Sequence, residues 1–392
     1  MKATTIGVLA SGESEWRVAL VPDGVRRLAR VGLSAAVEAD AGAQAWYPDD
    51  AYVAAGATIG SREQVLDSAD VVVTVGKPDR QELERVRAGR MVVGLLDPAG
   101  DPELIRRLAA RGVITVSLES LPRTLSRAQA LDVLTSQANV AGYKAALVAA
   151  GAFGRYFPML ITAAGTSRPA SVLVLGTGVA GLSAIGTARR LGAVVSGYDV
   201  RPEARGEVES LGARFLALES IGQAQGEGGY ARALTAEEQK AQQAELESHL
   251  PSFDVVITTA AVPGRRPPRL VSASALAAMR SGSVVVDMGS GPMGGNVEGS
   301  VPGESVVTPG GVTVIGASDL AASVPTAASD AFSQNMVAVI GLFVRDGELT
   351  VDLSDEVQGA IVFSYEGRVI RPPATGGKGT TTEDPDERVA AL

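Results

Sequence analysis

The chain of 392 residues is 46% hydrophobic, which is enough for the cores of two or three domains. Its formal net charge of -9, with no basic cluster interleaved with aromatic residues, argues against a nucleic-acid-binding surface. With no cysteine and His249 as the only histidine, disulfides, thiolate chemistry and histidine-rich metal sites are excluded, and we predict no metal site.

The N-terminal part of the chain alternates short apolar runs with amphipathic stretches. Two of those stretches, Pro22 to Arg30 and Pro102 to Arg111, have helical spacing. The strand candidates are Ile6 to Leu9, Ala35 to Val37, Val71 to Val75, Met91 to Leu96 and Val113 to Leu118. This alternation predicts a parallel sheet with helices on both faces.

A polar segment, Leu121 to Asp132, follows the last of these strand candidates. Its polar side chains include Arg123, Arg127, Gln129 and Asp132. Two guanidiniums, an amide and a carboxylate can hold a carboxamide, a ribose and a phosphate while supplying no nucleophile, which suits positioning. A plainer interpretation fits equally well, in which Ser126 or Asp132 caps a helix and the arginines are solvated.

A long stretch of small and apolar residues at helical spacing, Ala128 to Phe157, is expected to carry the chain into a second domain. The strand candidates that follow are Ser171 to Leu175, Ala193 to Tyr198, Ala213 to Leu216, Asp254 to Thr258, Ser283 to Asp287 and Val312 to Ile315. Six strands suit a complete doubly wound sheet. A second helical stretch runs from Asp319 to about Val344, and Ala360 to Ile370 predicts a hairpin that turns at Glu366-Gly367.

The two long helical stretches bracket the second set of strands. We therefore predict an α/β protein with two doubly wound Rossmann-like domains, one inserted into the other. The inserted domain comprises residues 136–324, and the discontinuous first domain comprises residues 1–135 and 325–371. Residues 372–392 are rich in threonine, glycine, proline and charge, and we expect them to be disordered.

The most informative motif is Gly176-Thr177-Gly178-Val179-Ala180-Gly181, which follows an apolar run and precedes a helical pattern. In such a loop the first glycine permits a tight turn, the second lets backbone approach a pyrophosphate, and the third lets the helix pack on the strand. Asp199 ends the next apolar run, where a carboxylate binds the ribose and repels a 2′-phosphate. NAD is favoured over NADP, a preference that Arg201 and Arg205 soften. A glycine-rich turn that binds nothing is the weaker alternative.

The segment Ile221 to Tyr230 is too rich in glycine to pack into a core. It has the composition of a lid that closes over bound nucleotide, with Tyr230 as the closing group. A plain surface loop explains the same residues equally well.

A dehydrogenase of hydroxy or amino acids needs a cation to clamp the carboxylate and a histidine or similar group to move the proton. Arg17 and Lys77 could supply the clamp, but the predicted first domain has no histidine. Asp97 is a poor substitute, because an ordinary carboxylate is already ionised near neutral pH. Hydride exchange between two nicotinamides needs no such proton transfer, only alignment of the rings and exclusion of water.

These motifs resemble those of the NAD(H)-binding component of proton-translocating NAD(P) transhydrogenase, domain I of its alpha subunit, in the alanine dehydrogenase-like superfamily. The matching blocks are Pro122-Arg123, Ser126 to Gln129, Asp132, Ser136 to Tyr143, Ile161 to Gly165, Gly176 to Gly181, Asp199 to Pro202, Gly228 to Ala231, Thr258 to Ala260, Pro263-Gly264, Gly294 to Asn296 and Val301 to Glu304. Alanine dehydrogenase shares a pattern like Arg17 to Leu20, but its substrate-site histidine has no counterpart here.

The resemblance implies catalytic roles beside the nicotinamide for Arg123, Gln129 and Asp132. Thr124-Leu125 looks like an insertion relative to the family, so Arg127 is an alternative to Arg123. The implied cofactor-binding residues are Arg127, Thr135, Gly176, Thr177, Gly178, Val179, Gly181, Asp199, Val200, Arg201, Gly229, Tyr230 and Ala261. The loop Gly289 to Met293 departs from the family pattern on the expected nicotinamide side.

The implied function is direct hydride transfer between NADH on this chain and NADP⁺ on a partner, coupled to proton translocation by separate membrane subunits. The implied partners are NADP(H)-binding and membrane-spanning subunits and a second copy of the chain. No apolar run approaches the roughly eighteen residues of a membrane span, so we expect a cytoplasmic chain, peripheral on the membrane and without direct insertion. The alternatives are an NAD-dependent amino-acid dehydrogenase of the alanine dehydrogenase type and a non-catalytic NAD-binding regulatory subunit.

Overall fold

The computed structural model describes residues 4–12, 15–219, 236–260, 266–345 and 347–371. The chain divides into two compact units. Within the described residues, the first comprises those up to Gln137 together with 321–371, and the second comprises Ala138 to Leu320. Each unit contains one large, mostly parallel sheet, so the predicted α/β class is confirmed.

The strands are, in chain order, β1 (Thr5–Val8), β2 (Ser34–Glu38), β3 (Thr58–Gly60), β4 (Val71–Val73), β5 (Met91–Gly94), β6 (Ile114–Ser117), β7 (Leu160–Thr162), β8 (Gly165–Ser167), β9 (Ser171–Leu175), β10 (Val194–Tyr198), β11 (Arg214–Phe215), β12 (Val255–Thr258), β13 (Val284–Asp287), β14 (Ser305–Val307), β15 (Thr313–Gly316), β16 (Val344–Arg345), β17 (Glu348–Leu349), β18 (Val362–Tyr365) and β19 (Arg368–Val369).

The helices are, in chain order, α1 (Pro22–Arg30), α2 (Asp49–Ala54), α3 (Arg62–Ser68), α4 (Arg80–Leu83), α5 (Pro102–Ala110), α6 (Val133–Ala152), α7 (Val179–Arg190), α8 (Ala204–Ser210), α9 (Ala236–His249), α10 (Ala273–Ala278), α11 (Pro325–Phe343) and α12 (Glu356–Ile361). No helix in the described part of the chain is long and apolar enough to cross a membrane.

The first unit contains an eight-stranded sheet in the order β19-β18-β6-β5-β4-β1-β2-β3. The strands from β6 to β3 in this order pair in parallel, whereas β18 and β19 pair antiparallel. Val71 and Val73 of β4 belong to the core on one face and Val72 to the core on the other. Both faces are therefore buried, as expected for a mostly parallel sheet.

The second unit contains a seven-stranded sheet in the order β11-β10-β9-β12-β13-β15-β14. All neighbours pair in parallel except β14 and β15. The chain leaves β9 towards β10 on one side, and β12 lies on the other side, so the strand order reverses at β9. Ligands of open α/β sheets bind at the carboxyl ends of strands at such a reversal. The end of β9, at Leu175, is where the glycine loop begins.

Some predicted elements differ from the structure. The helix predicted over Ala128 to Phe157 starts only at Val133, and Ser126–Leu131 forms a 3₁₀ helix. The reason is a cap, because the Asp132 carboxylate accepts the backbone N–H of Thr135 at 2.9 Å and so begins α6. The sequence also missed β14, a short antiparallel strand at the edge of the sheet with three exposed residues.

The hairpin predicted at the C-terminal end of the first unit is confirmed. Its strands β18 and β19 meet at Glu366 and Gly367, which have φ of 48° and 77°. The predicted lid segment 221–230 and the predicted disordered tail 372–392 lie outside the described residues.

Candidate dinucleotide-binding site

Two glycines of the loop between β9 and α7 are required by packing. Gly176 has a φ of +89°, in the left-handed region, and a Cβ there would lie 2.7 Å from Thr259 Oγ1. A Cβ on Gly181 would lie 2.0 Å from the carbonyl oxygen of Gly176. The tight turn and the close contact of helix with strand are therefore both present.

Gly178, between these two, meets a different requirement. It precedes α7 with φ of -69° and ψ of -166°, which any residue can adopt. Among the described residues, a Cβ on Gly178 would meet no atom within 4 Å. The first backbone N–H groups of α7 have no acceptor within the helix and lie at the positive end of its dipole. This space and these donors fit the pyrophosphate of a dinucleotide.

Thr177 faces inward rather than towards this open space. Its side chain is fully buried, and both its backbone N–H and its hydroxyl donate to Asp199 Oδ2, at 2.8 and 3.2 Å. The resemblance implied that Thr177 contacts the pyrophosphate. In the structure its donors are taken by Asp199, so the N–H groups of Gly178 and Val179 are the better candidates for that contact.

Asp199, at the end of β10, also pairs with Arg201. The backbone N–H, Nε and Nη2 of Arg201 all donate to the carboxylate, at 3.0, 3.1 and 3.3 Å. Burial alone would raise the pKa of Asp199, but hydrogen bonds from Arg201 and Thr177 and the charge of Arg201 hold that pKa below its ordinary value of 3.8. Asp199 is therefore an ionised acceptor, as binding a ribose hydroxyl requires.

Arg205 has a different environment. Its guanidinium lies over the ring of Phe215, 5.3 Å from the ring centre. The structure thus separates the two arginines that the sequence grouped together, because Arg201 alone pairs with Asp199. Val200, between the acid and the arginine, is 57% exposed.

Asp287 is a residue that the sequence analysis did not single out. It is fully buried at the end of β13 and accepts four hydrogen bonds. The donors are the hydroxyl of Thr258 and the backbone N–H groups of Gly289, Asn296 and Val297. These bonds hold both ends of the loop that contains Gly289 to Met293. The only signal for Asp287 in the sequence is an acid as the last residue of a buried strand.

Three of the predicted site residues in the first unit form one cluster. Arg123 donates from Nε to Asp132 Oδ2 at 2.9 Å and from Nη2 to Thr135 Oγ1 at 2.7 Å. The hydroxyl of Thr135 donates to the same Asp132 oxygen at 2.7 Å. Burial would raise the pKa of Asp132, but bonds from Thr135 and the cation of Arg123 lower it below 3.8. The structure therefore combines the two interpretations of Asp132, which caps a helix and holds two site residues.

The other two predicted site residues of the first unit, Arg127 and Gln129, lie apart from that cluster. Arg127 donates from Nη1 to Asp355 Oδ2 at 2.5 Å, and Asp355 caps α12. Of the two arginines, Arg123 is thus the one that contacts Asp132. Gln129 is exposed, and its side chain makes no hydrogen bond to the described residues.

Both cations that could clamp a substrate carboxylate are paired within the first unit. Arg17 Nη2 lies 2.6 Å from Glu15 Oε2, and Lys77 Nζ lies 3.1 Å from Asp101 Oδ2. Asp97 has a φ of 49° and accepts the N–H of Gly100 at 3.1 Å, as in a turn. None of these contacts resembles a proton-transfer site for an amino acid.

Three predicted site residues, Gly229, Tyr230 and Ala261, lie outside the described residues. Among the residues that the structure does describe, no group of three or more His, Cys, Asp or Glu side chains could hold a metal ion.

The fold and the glycine loop define a nucleotide-binding α/β protein of the Rossmann class. Comparison with family models identifies the branch of that class. Residues 11–141 match the alanine dehydrogenase/PNT N-terminal domain, and residues 145–372 match the alanine dehydrogenase/PNT C-terminal domain. The chain belongs to the alanine dehydrogenase/PNT family.

Within that family the chain is similar to transhydrogenase subunits. It is 40% identical to NAD(P) transhydrogenase subunit alpha of Cereibacter sphaeroides over 366 residues, 92% of this chain and 70% of that protein. It is 38% identical to NAD(P) transhydrogenase subunit alpha of Haemophilus influenzae over 364 residues, 92% of this chain and 70% of that protein. The crystal structure of transhydrogenase from Sinorhizobium meliloti superposes with a TM-score of 0.84 at 40% identity, covering 93% of this chain and 99% of that one.

Proposed function

We propose that this chain is the NAD(H)-binding alpha component of an NAD(P) transhydrogenase. This enzyme is an oxidoreductase in which hydride passes directly between NADH on this chain and NADP⁺ on a partner subunit. The observation that carries the proposal is the N-terminus of α7 at Gly178, where a Cβ would meet no described atom within 4 Å. The single histidine of the chain, His249, belongs to the second unit. The site can hold a dinucleotide, and the first unit has no histidine for the proton transfer that amino-acid oxidation needs.

The residues of the second unit anchor the cofactor in this proposal. The backbone N–H groups of Gly178 and Val179 bind the pyrophosphate, and Gly176 and Gly181 give the loop its shape. The adenosine ribose lies against Asp199, Val200 and Arg201, with Thr177 holding the carboxylate in place. Gly229 and Tyr230 are assigned to a lid and Ala261 to the adenine pocket, on the resemblance alone.

The residues of the first unit position the reacting ring. When bound, the nicotinamide supplies or accepts the hydride. Asp132 holds the guanidinium of Arg123 and the hydroxyl of Thr135 in fixed places. Gln129 and Arg127 lie at the surface of the same segment. Because hydride moves between two nicotinamides without proton transfer, the segment has only to orient groups and exclude water.

The same function requires partners. We infer that the chain assembles with an NADP(H)-binding subunit and with membrane-spanning subunits that carry out proton translocation. This assembly places it at the cytoplasmic face of the membrane, held there through those subunits.

We also infer a homodimer. The hairpin of β7 and β8 forms a separate two-stranded sheet, and Ile161 on it is 75% exposed. Tyr156 and Met159, just before the hairpin, are 59% and 58% exposed. An isolated two-stranded hairpin is marginally stable, and grouped exposed apolar side chains mark contact surfaces. A second copy of the chain would bury them.

One set of assays tests this function against its alternatives. The purified chain is given NAD⁺ and amino acids and, in a second assay, NADH together with an NADP(H)-binding transhydrogenase component. Exchange between NADH and an NAD analogue that appears only with this component is the expected result. Oxidation of alanine by the chain alone would instead identify an alanine dehydrogenase. Tight NADH binding without turnover under either condition would identify a regulatory subunit.

A further inference from the structure

The carboxylate of Asp199 is already surrounded by donors. Thr177 provides a backbone N–H and a hydroxyl, and Arg201 provides a backbone N–H and two guanidinium nitrogens. The Asp199 side chain is only 9% exposed. Each carboxylate oxygen has a limited number of acceptor positions. A ribose hydroxyl can therefore bind this carboxylate well only by replacing one of the present donors.

The guanidinium of Arg201 is the donor that can leave. Thr177 is fully buried and is part of the glycine loop, so its two donors are fixed. The side chain of Arg201 is 45% exposed and has a long, flexible stem. Its Nη2 also lies 3.9 Å from Glu207 Oε2 on α8, so a second carboxylate is within reach.

We propose that Arg201, by dividing between Asp199 and Glu207, sets the selectivity between a ribose with a free 2′-hydroxyl and one with a 2′-phosphate. This role rests on the NAD(H) function proposed above and adds Glu207 to it as a specificity-determining residue. When Arg201 pairs with Asp199, it neutralises the carboxylate charge that would repel a 2′-phosphate, and its guanidinium can also pair with that phosphate. When Arg201 pairs with Glu207, the carboxylate of Asp199 can accept a hydrogen bond from the 2′-hydroxyl of NADH.

The experiment measures equilibrium binding of NADH and NADPH to the full chain and to three variants. Arg201→Met removes the cation and keeps a long apolar stem, and Glu207→Gln removes the second carboxylate. Arg205→Met is the matched control, because this arginine lies over Phe215 and not on Asp199. Thermal unfolding of each variant checks that the fold is retained.

Arg201→Met is expected to weaken NADPH binding about tenfold while NADH binding stays within about threefold, since one charge-assisted contact is lost only for the phosphate. Glu207→Gln is expected to shift the affinity ratio in the opposite direction, towards NADPH. Arg205→Met is expected to leave the ratio unchanged.

Two results would overturn the role of Arg201 while leaving the NAD(H) function in place. One is equal weakening of both nucleotides by Arg201→Met, and the other is an unchanged ratio in Glu207→Gln. A wild-type chain that binds neither nucleotide would instead overturn the NAD(H) function, and the selectivity with it.

Discussion

A Cβ atom on Gly181 would lie 2.0 Å from the carbonyl oxygen of Gly176, so the first turn of α7 rests directly on the turn that follows β9. At Gly178, between them in sequence, no described atom lies within 4 Å of where its own Cβ would be. The three glycines of the loop thus have two different roles. Two of them allow backbone to touch backbone, and the third leaves room for a ligand.

Substitution of Gly178 by alanine tests this division. We expect Gly178→Ala to unfold like the wild type, because its φ of -69° is ordinary and its Cβ would meet no described atom within 4 Å. NADH binding is expected to weaken at least about tenfold, because the methyl group occupies the pyrophosphate space. Calorimetric titration and thermal unfolding measure the two effects.

Gly181→Ala is the matched control for that variant. Its methyl group would clash with the carbonyl oxygen of Gly176, so we expect a loss of about 2 kcal/mol or more in the free energy of unfolding. Unchanged NADH affinity in Gly178→Ala would show that no phosphate is held at this helix end.

A clash of the same kind is expected between α6 and α7. A Cβ on Gly142 would lie 2.0 Å from the carbonyl oxygen of Ala180, and the hydroxyl of Ser183 donates to the carbonyl of Asn139 at 2.7 Å. Gly142→Ala should lower the free energy of unfolding by about 1–3 kcal/mol, measured by urea denaturation. Ser183→Ala, which removes only the hydrogen bond, should cost about 1 kcal/mol. A smaller loss in Gly142→Ala than in Ser183→Ala would contradict the close packing.

The Asp132 cluster predicts a pH-dependent stability difference. The pKa of Asp132 is lowered below 3.8 in the folded chain, so its ionised form stabilises the fold at pH above 3.8. That contribution is lost as the pH falls through the lowered folded value. We expect Asp132→Asn to be about 1–3 kcal/mol less stable than the wild type near neutral pH. The difference should shrink as the pH falls below 3.8, measured by urea denaturation.

A difference that stayed constant down to that pH would mean that the charge of Asp132 contributes nothing. Thr135→Val is a useful comparison, because it removes one of the hydrogen bonds that lower the pKa of Asp132 but keeps the carboxylate and its contact with Arg123. Its loss of stability should therefore vary less with pH.

Gln129 is expected to affect the reaction and not the fold. Its side chain is exposed and makes no hydrogen bond within the described residues, so Gln129→Asn should change the free energy of unfolding by less than about 0.5 kcal/mol. With an NADP(H)-binding partner, hydride transfer should slow far more than NADH binding weakens, measured by rapid mixing. Equal losses would indicate a structural role. Arg127→Met, which breaks the pair with Asp355, provides a variant that does lose stability.

The exposed hairpin predicts how the chain associates with itself. Ile161→Asp should shift the chain from dimer to monomer in sedimentation experiments, while its secondary structure is retained. Val31→Asp is the matched control, because Val31 is 68% exposed but lies in the first unit, away from the hairpin in sequence. Dissociation by both variants, or by neither, would exclude the hairpin as the contact.

Most long or strongly periodic elements of the fold could be predicted from the sequence. Ser171 to Leu175 is an apolar run and forms β9 with those bounds, and Pro22 to Arg30 has helical spacing and forms α1. Elements with few residues or little periodicity were missed, such as β14 and α3. The start of α6 was misplaced, because a side-chain cap at Asp132 outweighed the helical pattern of Ala128 to Leu131.

The sequence by itself determined the order of strand, glycine loop, helix and acid, because each of these depends on the backbone preferences of neighbouring residues. Only the tertiary structure decided which polar groups meet. Thr177 donates to Asp199, Arg123 rather than Arg127 contacts Asp132, and Ser364 of the C-terminal hairpin donates to the carbonyl of Val113 at 2.8 Å. These partners are brought together by strand pairing and helix packing, and their separation along the chain carries no local signal of contact.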